Sequence, residues 1–288
     1  MAFFFALEYF LFDLVFQNFP EVSPLSAYFW NFVGAIFSGA FFFGQKKFRK
    51  NVRKLLRKKW FLILMLAAIA SVSSFLFVFV IDKSNSGITS LLNRADVIFS
   101  AIFGFFFLAE KLKKLEIFGL LIALFGVGFI VNLRGEISFS VAILALFAGS
   151  LTALHSFLAK QFLGDSDALA TAFLRAIFVV ILTAPVLFFV EKSLFPPSFF
   201  PFFLLFISGV FGSFISRIFY FRAIEIIAIG KVHTIALLEP IFVLFGSIFF
   251  LGAAANAQKL FGAIFILSGL FFATRAHFQD LKKSKISK

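Results

Sequence analysis

Ten apolar runs of about 20 residues divide the sequence, and this pattern limits the chain to one class of fold. A helix of about 20 apolar residues spans the hydrocarbon core of a bilayer. Only 14% of the residues are charged and 61% are hydrophobic, whereas a soluble domain carries about 25% charged residues. We therefore predict an all-α polytopic membrane protein with ten transmembrane helices. The runs cover 2–19, 25–43, 60–81, 88–108, 115–133, 138–159, 168–190, 199–221, 232–251 and 258–276.

The second half of the sequence repeats the first at an offset of 143 residues. The stretches 89–131 and 232–274 align without a gap at this offset, which places Asp96 opposite Glu239. Because the offset is close to half of the 288 residues, we infer an internal duplication. The predicted units are a first five-helix repeat at 1–135, a second five-helix repeat at 136–276 and a basic tail at 277–288.

Lysine and arginine residues predict the orientation of the chain in the membrane. The link 44–59 carries nine of them, and both 109–114 and the tail 277–288 are also basic, while the alternate links are poorer. Positive charge beside apolar spans is typical of cytoplasmic loops. We predict a protein of the cytoplasmic (inner) membrane with both termini cytoplasmic. Because five is an odd number, the two repeats must lie in opposite orientations, as inverted repeats do in many secondary transporters.

Apolar residues recur at helical spacing within the basic link 44–59. They are Phe48, Val52, Leu55 and Leu56. This spacing indicates a short helix that lies on the inner membrane surface. A solvated basic loop is the alternative interpretation.

The charge and the rare residue types exclude several classes of function. The net charge of +13 is concentrated in the cytoplasmic segments rather than along a groove, so we predict no binding of nucleic acid. The chain has no cysteine, and its three histidines are widely scattered, which argues against a metal site. No glycine-rich phosphate loop, zinc-protease motif or nucleophile elbow occurs. We predict no cofactor and no catalytic residue.

Polar residues within the fourth apolar run indicate a cavity. An ionisable group at membrane depth costs about 2.5–3.5 kcal/mol, so it should face a cavity or a partner. Thr89, Asn93, Asp96 and Ser100 share one helical face, whereas Arg94 projects from roughly the opposite side. We expect Asp96 to line a cavity, with a structural ion pair as the alternative. For Arg94 we expect a structural role, through snorkelling or a partner on another helix.

Other runs supply further candidates for substrate binding or coupling. With Asn93 and Asp96, the predicted site residues are Asp13, His155, Arg175, Arg217, Tyr220 and Glu239. A lone intramembrane histidine is more typical of a packing residue. One of the two arginines is expected to pair with a carboxylate or phosphate of the substrate and the other with a protein acid. The alternative is that both arginines pair with protein acids only.

Asp96 and Glu239 are the candidates for proton coupling. Each lies about eight residues into its run, close to the middle of the bilayer. A carboxyl group there is poorly solvated in its charged form, so it is suited to bind and release a proton. The alternative is that both acids are fixed partners of buried arginines. Pro240 removes a backbone donor beside Glu239 and favours Glu239 as the proton carrier.

The two matching stretches resemble the EamA-type repeat of the drug/metabolite transporter superfamily. The resemblance lies in FFFLAEKLKKLEIFG with LFGVGFIV, and in LLEPIFVLFGSIFFLG with QKLFGAIFILSG. It implies ten helices in two inverted five-helix repeats, a central cavity, and usually the export of small metabolites. The sequence departs from the family twice. Val97 stands where the family has a proline, and Ala253 stands opposite Glu110, which is therefore not assigned to coupling.

We predict a secondary transporter that exports a small metabolite across the cytoplasmic membrane by alternating access, with proton coupling as a hypothesis. Its partners would be a small-molecule substrate, the lipid bilayer and protons. A membrane-embedded lipid-modifying enzyme is one alternative, although the clustered catalytic groups it needs are missing from the sequence. A membrane scaffold without transport activity is the other.

Overall fold

A computed structural model describes most of the chain as helices. The described residues are 1–108, 114–131, 138–164, 166–191, 195–226, 232, 236, 238–252, 257, 260–269 and 271–272, and no strand occurs among them. The α-helices are α1 (Ala2–Asn18), α2 (Pro24–Ala40), α3 (Lys46–Lys83), α4 (Ser86–Asn93), α5 (Ala95–Leu108), α6 (Lys114–Val131), α7 (Phe139–Leu163), α8 (Ala168–Val190), α9 (Phe199–Ser208), α10 (Arg217–Ile226), α11 (Leu238–Phe250) and α12 (Leu260–Gly269). A 3-10 helix, Phe41–Gly44, follows α2, and a π-helix, Gly209–Ser216, joins α9 to α10.

The all-helical membrane prediction is confirmed, and the count of ten spans stays a prediction. Among the described residues, five helical segments are long and apolar enough to cross a membrane. These are Pro24–Gly44, Lys46–Lys83, Phe139–Leu163, Ala168–Val190 and Phe199–Ile226. The basic tail 277–288, the basic link at 109–113, Glu110, Ala253 and the boundary between 135 and 136 lie outside the described residues.

The basic segment is helical, so its interpretation as a solvated loop is wrong. It forms the first part of α3, which bends at Lys59, where φ is −137° and ψ is 19°. Phe48, Val52 and Leu55 are buried, and the Phe48 ring lies 5.6 Å from the Phe173 ring of α8. The apolar side of this segment therefore packs on the protein itself.

The fourth apolar run is interrupted at Arg94, between α4 and α5. The Arg94 amide donates to the Leu91 carbonyl oxygen at 3.2 Å, and the Val97 amide donates to the Arg94 carbonyl oxygen at 3.1 Å. Both bonds close three-residue turns instead of the four-residue turns of an α-helix. Because the turn is tighter here, the side chains before and after Arg94 do not point in the directions that one continuous α-helix would give them.

Helices α6 and α12 cross in close contact through glycines. A Cβ added to Gly126 would lie 2.9 Å from the carbonyl oxygen of Gly262, and one added to Gly269 would lie 2.5 Å from that of Gly119. Any larger residue would therefore collide with backbone. Gly119 and Gly126 are the equivalents of Gly262 and Gly269 at the offset of 143 residues. The contact is therefore the same when the two halves are exchanged. Because a residue early in α6 meets one late in α12, and the reverse, the two helices are antiparallel.

The π-helix fits closely against the first two helices. A Cβ on Gly209 would overlap the carbonyl oxygen of Asn31 in α2, and one on Gly212 would overlap the Glu8 side chain of α1. A π-helix forms i→i+5 hydrogen bonds and is rare, and it often occurs at functional sites. Here it brings the start of α10 up to the polar side of α1.

Candidate functional site

A central cavity lies between the two halves of the chain. Its empty volume is about 770 Å³, including the part open to solvent. It is bordered by α1, α2, α3, α7, α10, α11 and the junction of α4 with α5. Of the predicted site residues, the structure brings together Asn93, Asp96, Arg217, Tyr220 and Glu239 in its lining.

Arg94 joins the two equivalent acids at one side of this cavity. Its Nη2 lies 3.3 Å from Oε1 of Glu239, and its Nη1 lies 3.9 Å from Oδ2 of Asp96. Nη1 also donates to the Ala236 carbonyl oxygen at 3.4 Å. All three charged side chains are more than nine-tenths buried. The prediction that Arg94 projects away from Asp96 is wrong because the helix is interrupted at Arg94 itself, while the expected partner on another helix is found.

Hydroxyl and amide groups occupy other parts of the wall. The Asn93 amide nitrogen donates to the Tyr9 hydroxyl at 2.5 Å, and no hydrogen-bond partner of Asn93 Oδ1 occurs among the described residues. The Tyr220 hydroxyl donates to Ser156 Oγ at 2.5 Å. Asn93 of α4 therefore keeps a buried amide oxygen without a partner in the described structure, while the hydroxyls of α1 and α10 already have partners.

Glu8 is a cavity residue that the sequence pattern alone does not assign. Its Oε1 accepts a hydrogen bond from the Asn31 amide at 3.1 Å and lies 2.7 Å from the Ser213 hydroxyl. This network joins α1, α2 and the π-helix. Glu8 follows Phe5 by three residues and precedes Phe12 by four, and all three line the cavity. That helical spacing is the signal that could have identified it.

Two predicted arginines lie against aromatic rings. The guanidinium carbon of Arg217 is 4.7 Å from the centre of the Phe5 ring and 5.8 Å from that of Tyr220. The guanidinium carbon of Arg175 is 5.3 Å from the centre of the Phe32 ring. Arg175 is only 1% exposed and lies behind the cavity wall. Within the described part of the chain, neither arginine has a carboxylate at ion-pair distance.

Asp13 and His155 lie outside the cavity lining. His155 is buried beside Phe221, with ring centres 6.2 Å apart. Asp13 instead accepts hydrogen bonds at Oδ2 from the amide and the hydroxyl of Ser86, at 2.9 and 2.5 Å. Oγ of Ser86 in turn lies 3.0 Å from Oγ of Ser247 in α11. We call the chain of contacts through Asp13, Ser86 and Ser247 the Asp13 latch, since it ties α1 and α4 to α11.

Comparison with protein families assigns the chain to a family. The sequence matches the model of the EamA-like transporter family over residues 1–132 and 139–275. The chain belongs to the EamA-like transporter family. It is accordingly a multi-pass membrane protein of the drug/metabolite transporter superfamily and a transporter of small molecules. Membership of a transporter family also supports the prediction that the protein is not an enzyme.

A solved crystal structure shares the fold. Its TM-score against this EamA-like chain is 0.72, and the similarity covers 96% of this chain and 95% of the other. The two sequences are 15% identical, so the likeness concerns the fold alone. No curated protein matches the sequence.

Proposed function

We propose that the protein is a secondary transporter that exports a small metabolite across the cytoplasmic membrane by alternating access. The observation that carries the proposal is the buried cluster of Arg94, Asp96 and Glu239. Two of these residues come from the first half of the chain and one from the second. Ionisable groups at membrane depth mark transport pathways, and sites at repeat interfaces are reshaped when the repeats move.

Untargeted metabolite profiling tests this function and needs no assumption about the substrate. Cells that express the wild-type protein should accumulate at least one small metabolite in the medium, and cells that express Asp96→Asn should not. Glu225→Gln is the matched control, because Glu225 is exposed and lies outside the central cavity. Identical profiles for wild type, the Asp96 variant and empty cells would favour a scaffold without transport activity.

Two inverted five-helix repeats, ten helices in all, are the proposed architecture. The antiparallel contact of α6 with α12 supports it, because equivalent helices of two repeats run antiparallel only when the repeats have opposite orientations. We propose the repeats as 1–135 and 136–276, followed by the basic tail 277–288.

Cytoplasmic termini are the proposed topology, and single cysteines test it in this cysteine-free chain. Arg53 lies in the basic part of α3 and Glu21 lies in the link after α1, and both are exposed. In intact cells, an impermeant maleimide should label Glu21→Cys and should reach Arg53→Cys only after permeabilisation. The reverse pattern would place the termini outside and overturn the proposed orientation.

Proton coupling through Asp96 or Glu239 is the proposed energy source. Their shared contact with Arg94 also supports the alternative of a fixed ion pair, so the experiment must separate the two. In proteoliposomes, Glu239→Gln and Asp96→Asn are compared for transport driven by a pH gradient and for substrate exchange. Under coupling, at least one variant loses gradient-driven transport and keeps exchange. Loss of folded protein would indicate a structural pair, and unchanged pH dependence in both variants would eliminate the proton role.

A further inference from the structure

We infer that the central cavity binds a small organic anion, with Arg217 as the residue that contacts its oxyanion group and Arg175 as a positioning residue behind it. The substrate class rests on the proposed transport function, whereas binding can be measured without transport. The expected ligand carries a carboxylate or a phosphate on an apolar body.

The charges in and around the cavity are unevenly distributed. On one side, the single guanidinium of Arg94 faces the carboxylates of Asp96 and Glu239. On the other side, the charges of Arg217 and Arg175 both act on the carboxylate of Glu8, and Arg217 also acts on Glu239, but more weakly than Arg94 does. No ion pair joins Glu8 to either arginine in the described structure. The Arg217 side therefore has an excess of positive charge that an anion would compensate.

The guanidinium of Arg217 is positioned to bind an oxyanion. Its contact with the Phe5 and Tyr220 rings supports one face of the group. Arg217 is only partly buried and lines the cavity, and the N–H groups of a guanidinium match the two oxygens of a carboxylate or phosphate. No acceptor for Nε of Arg217 is found among the described residues. A buried donor without an acceptor costs free energy, and the negative charge of an oxyanion beside the guanidinium would offset part of that cost.

Arg175 strengthens the same site from behind the wall. It lies over the ring of Phe32, which lines the cavity together with Tyr28, whereas Arg175 itself does not line it. Its Nε and Nη1 have no acceptor within the described part of the chain. Because it acts through its charge, Arg175→Lys should preserve anion binding and Arg175→Met should weaken it.

The remaining wall favours an apolar ligand body. Phe5, Phe12, Phe32 and Phe77 all line the cavity. Small-molecule sites are mostly apolar, with a few polar groups that fix orientation. A ligand with one anionic end and one aromatic or aliphatic end matches both parts of this lining.

Calorimetric titration of the purified protein in lipid nanodiscs tests the inference with four matched probes. Benzoate and phenyl phosphate present the two oxyanions, while benzamide and benzylamine are a neutral and a cationic analogue. We expect one or both anions to bind and the two analogues to bind at least tenfold more weakly. Arg217→Lys keeps the charge but loses the forked geometry, so it should weaken anion binding at least tenfold. Arg222→Lys is the control, since Arg222 is exposed on the same helix outside the cavity.

The outcomes separate this inference from the transport proposal. Equal binding of benzamide, absence of binding by both anions, or wild-type anion affinity in both Arg217→Lys and Arg175→Met would overturn the inference. Anion binding without flux in proteoliposomes would support the inference and refute transport. Flux of a neutral or cationic solute that Arg217→Lys leaves unchanged would support transport and refute the anion site.

Discussion

Replacing Asp13 with asparagine should open the Asp13 latch more often. The latch is buried, with Asp13 and Ser247 each 3% exposed and Ser86 fully covered. It joins two helices of the first half to α11 of the second half, so it must separate if the halves move apart at this end. Asparagine has nearly the same shape as aspartate, so the variant preserves the packing and tests the charge and the hydrogen bonds. Its amide oxygen can replace Oδ2 of Asp13, while its NH2 group would face Gln17, which donates to Oδ1 in the wild type.

The expected magnitude follows from the two hydrogen bonds that Ser86 donates to Oδ2 of Asp13, which lie within the first half and hold Ser86 in position against Ser247 of the second half. A hydrogen bond to a charged group contributes about 1.5–3 kcal/mol, and a bond between neutral groups about 0.5–1.5 kcal/mol. Asparagine therefore loses about 1–1.5 kcal/mol per bond, or about 2–3 kcal/mol for both. A change of about 1.4 kcal/mol corresponds to a factor of ten in an equilibrium constant. The open population of the latch should therefore rise by at most roughly 30- to 100-fold. Both bonds come from one serine, so their contributions overlap, and we expect about tenfold to thirtyfold.

The labelling rate of a single cysteine at position 247 measures this opening. Ser247 is buried, so a thiol reagent reaches Ser247→Cys only when the latch separates, and the rate then follows the open population. Adding Asp13→Asn to Ser247→Cys should raise the rate about tenfold to thirtyfold. Asn18→Ala is the matched control, because Asn18 is on the same helix and, within the described part of the chain, its side chain bonds to Leu14 of that helix.

Equal labelling rates with and without Asp13→Asn would refute the latch. A rise of the same size in Asn18→Ala would show that any weakening of α1 opens the structure. Size-exclusion chromatography of each variant confirms that the comparison is made on folded protein.

Two further predictions concern contacts between the halves. A disulfide between Ser86→Cys and Ser247→Cys should block transport until it is reduced, because the two Oγ atoms are 3.0 Å apart across the halves. The pair Ser84→Cys and Thr89→Cys, whose hydroxyls are 3.2 Å apart within the first half, should cross-link without loss of transport, and inhibition by this control pair would contradict the expectation. Gly269→Leu should lower stability by about 1–3 kcal/mol through overpacking of the α6–α12 crossing, and an unchanged melting temperature would contradict the close contact.

The sequence predicts the helices well because lipid exposure imposes a simple pattern. A span must be apolar over about 20 residues whatever its neighbours are. The predicted run 168–190 coincides with α8, and 2–19 differs from α1 by one residue at its end. The equivalence of Asp96 and Glu239 also follows from the sequence, since a repeat offset does not depend on tertiary contacts.

The break at Arg94 could not be predicted in the same way. Its surroundings, LLNRADV, contain neither glycine nor proline, the residues that usually announce an interrupted helix. Once the helix is assumed to be continuous, the helical period directs Arg94 away from Asp96. The tertiary contact of Arg94 with Glu239 stabilises the tighter turn, and that contact depends on a residue 145 positions away.

The partners of the other buried polar residues are hidden from the sequence for a related reason. Asp13 is a reasonable cavity candidate by its depth, but its carboxylate lies beside the first turn of α4, where a negative charge is favourable. The sequence leads us to expect a protein acid beside Arg175 or Arg217, and both stack on rings instead. A chain with 53 phenylalanines gives no sequence signal for which ring a guanidinium will contact.

The π-helix implies that the two halves have diverged by insertion as well as by substitution. Each i→i+5 turn holds one residue more than the α-helical turn. The equivalent stretch of the first half, 66–73, lies in α3 beyond its bend at Lys59 and is regular α-helix. The offset of 143 residues that relates the two halves should therefore change by about one residue across Gly209–Ser216. The additional residue changes the direction in which α10 presents its side chains relative to α9, so Arg217 lines the cavity while α9 packs against α1 and α2.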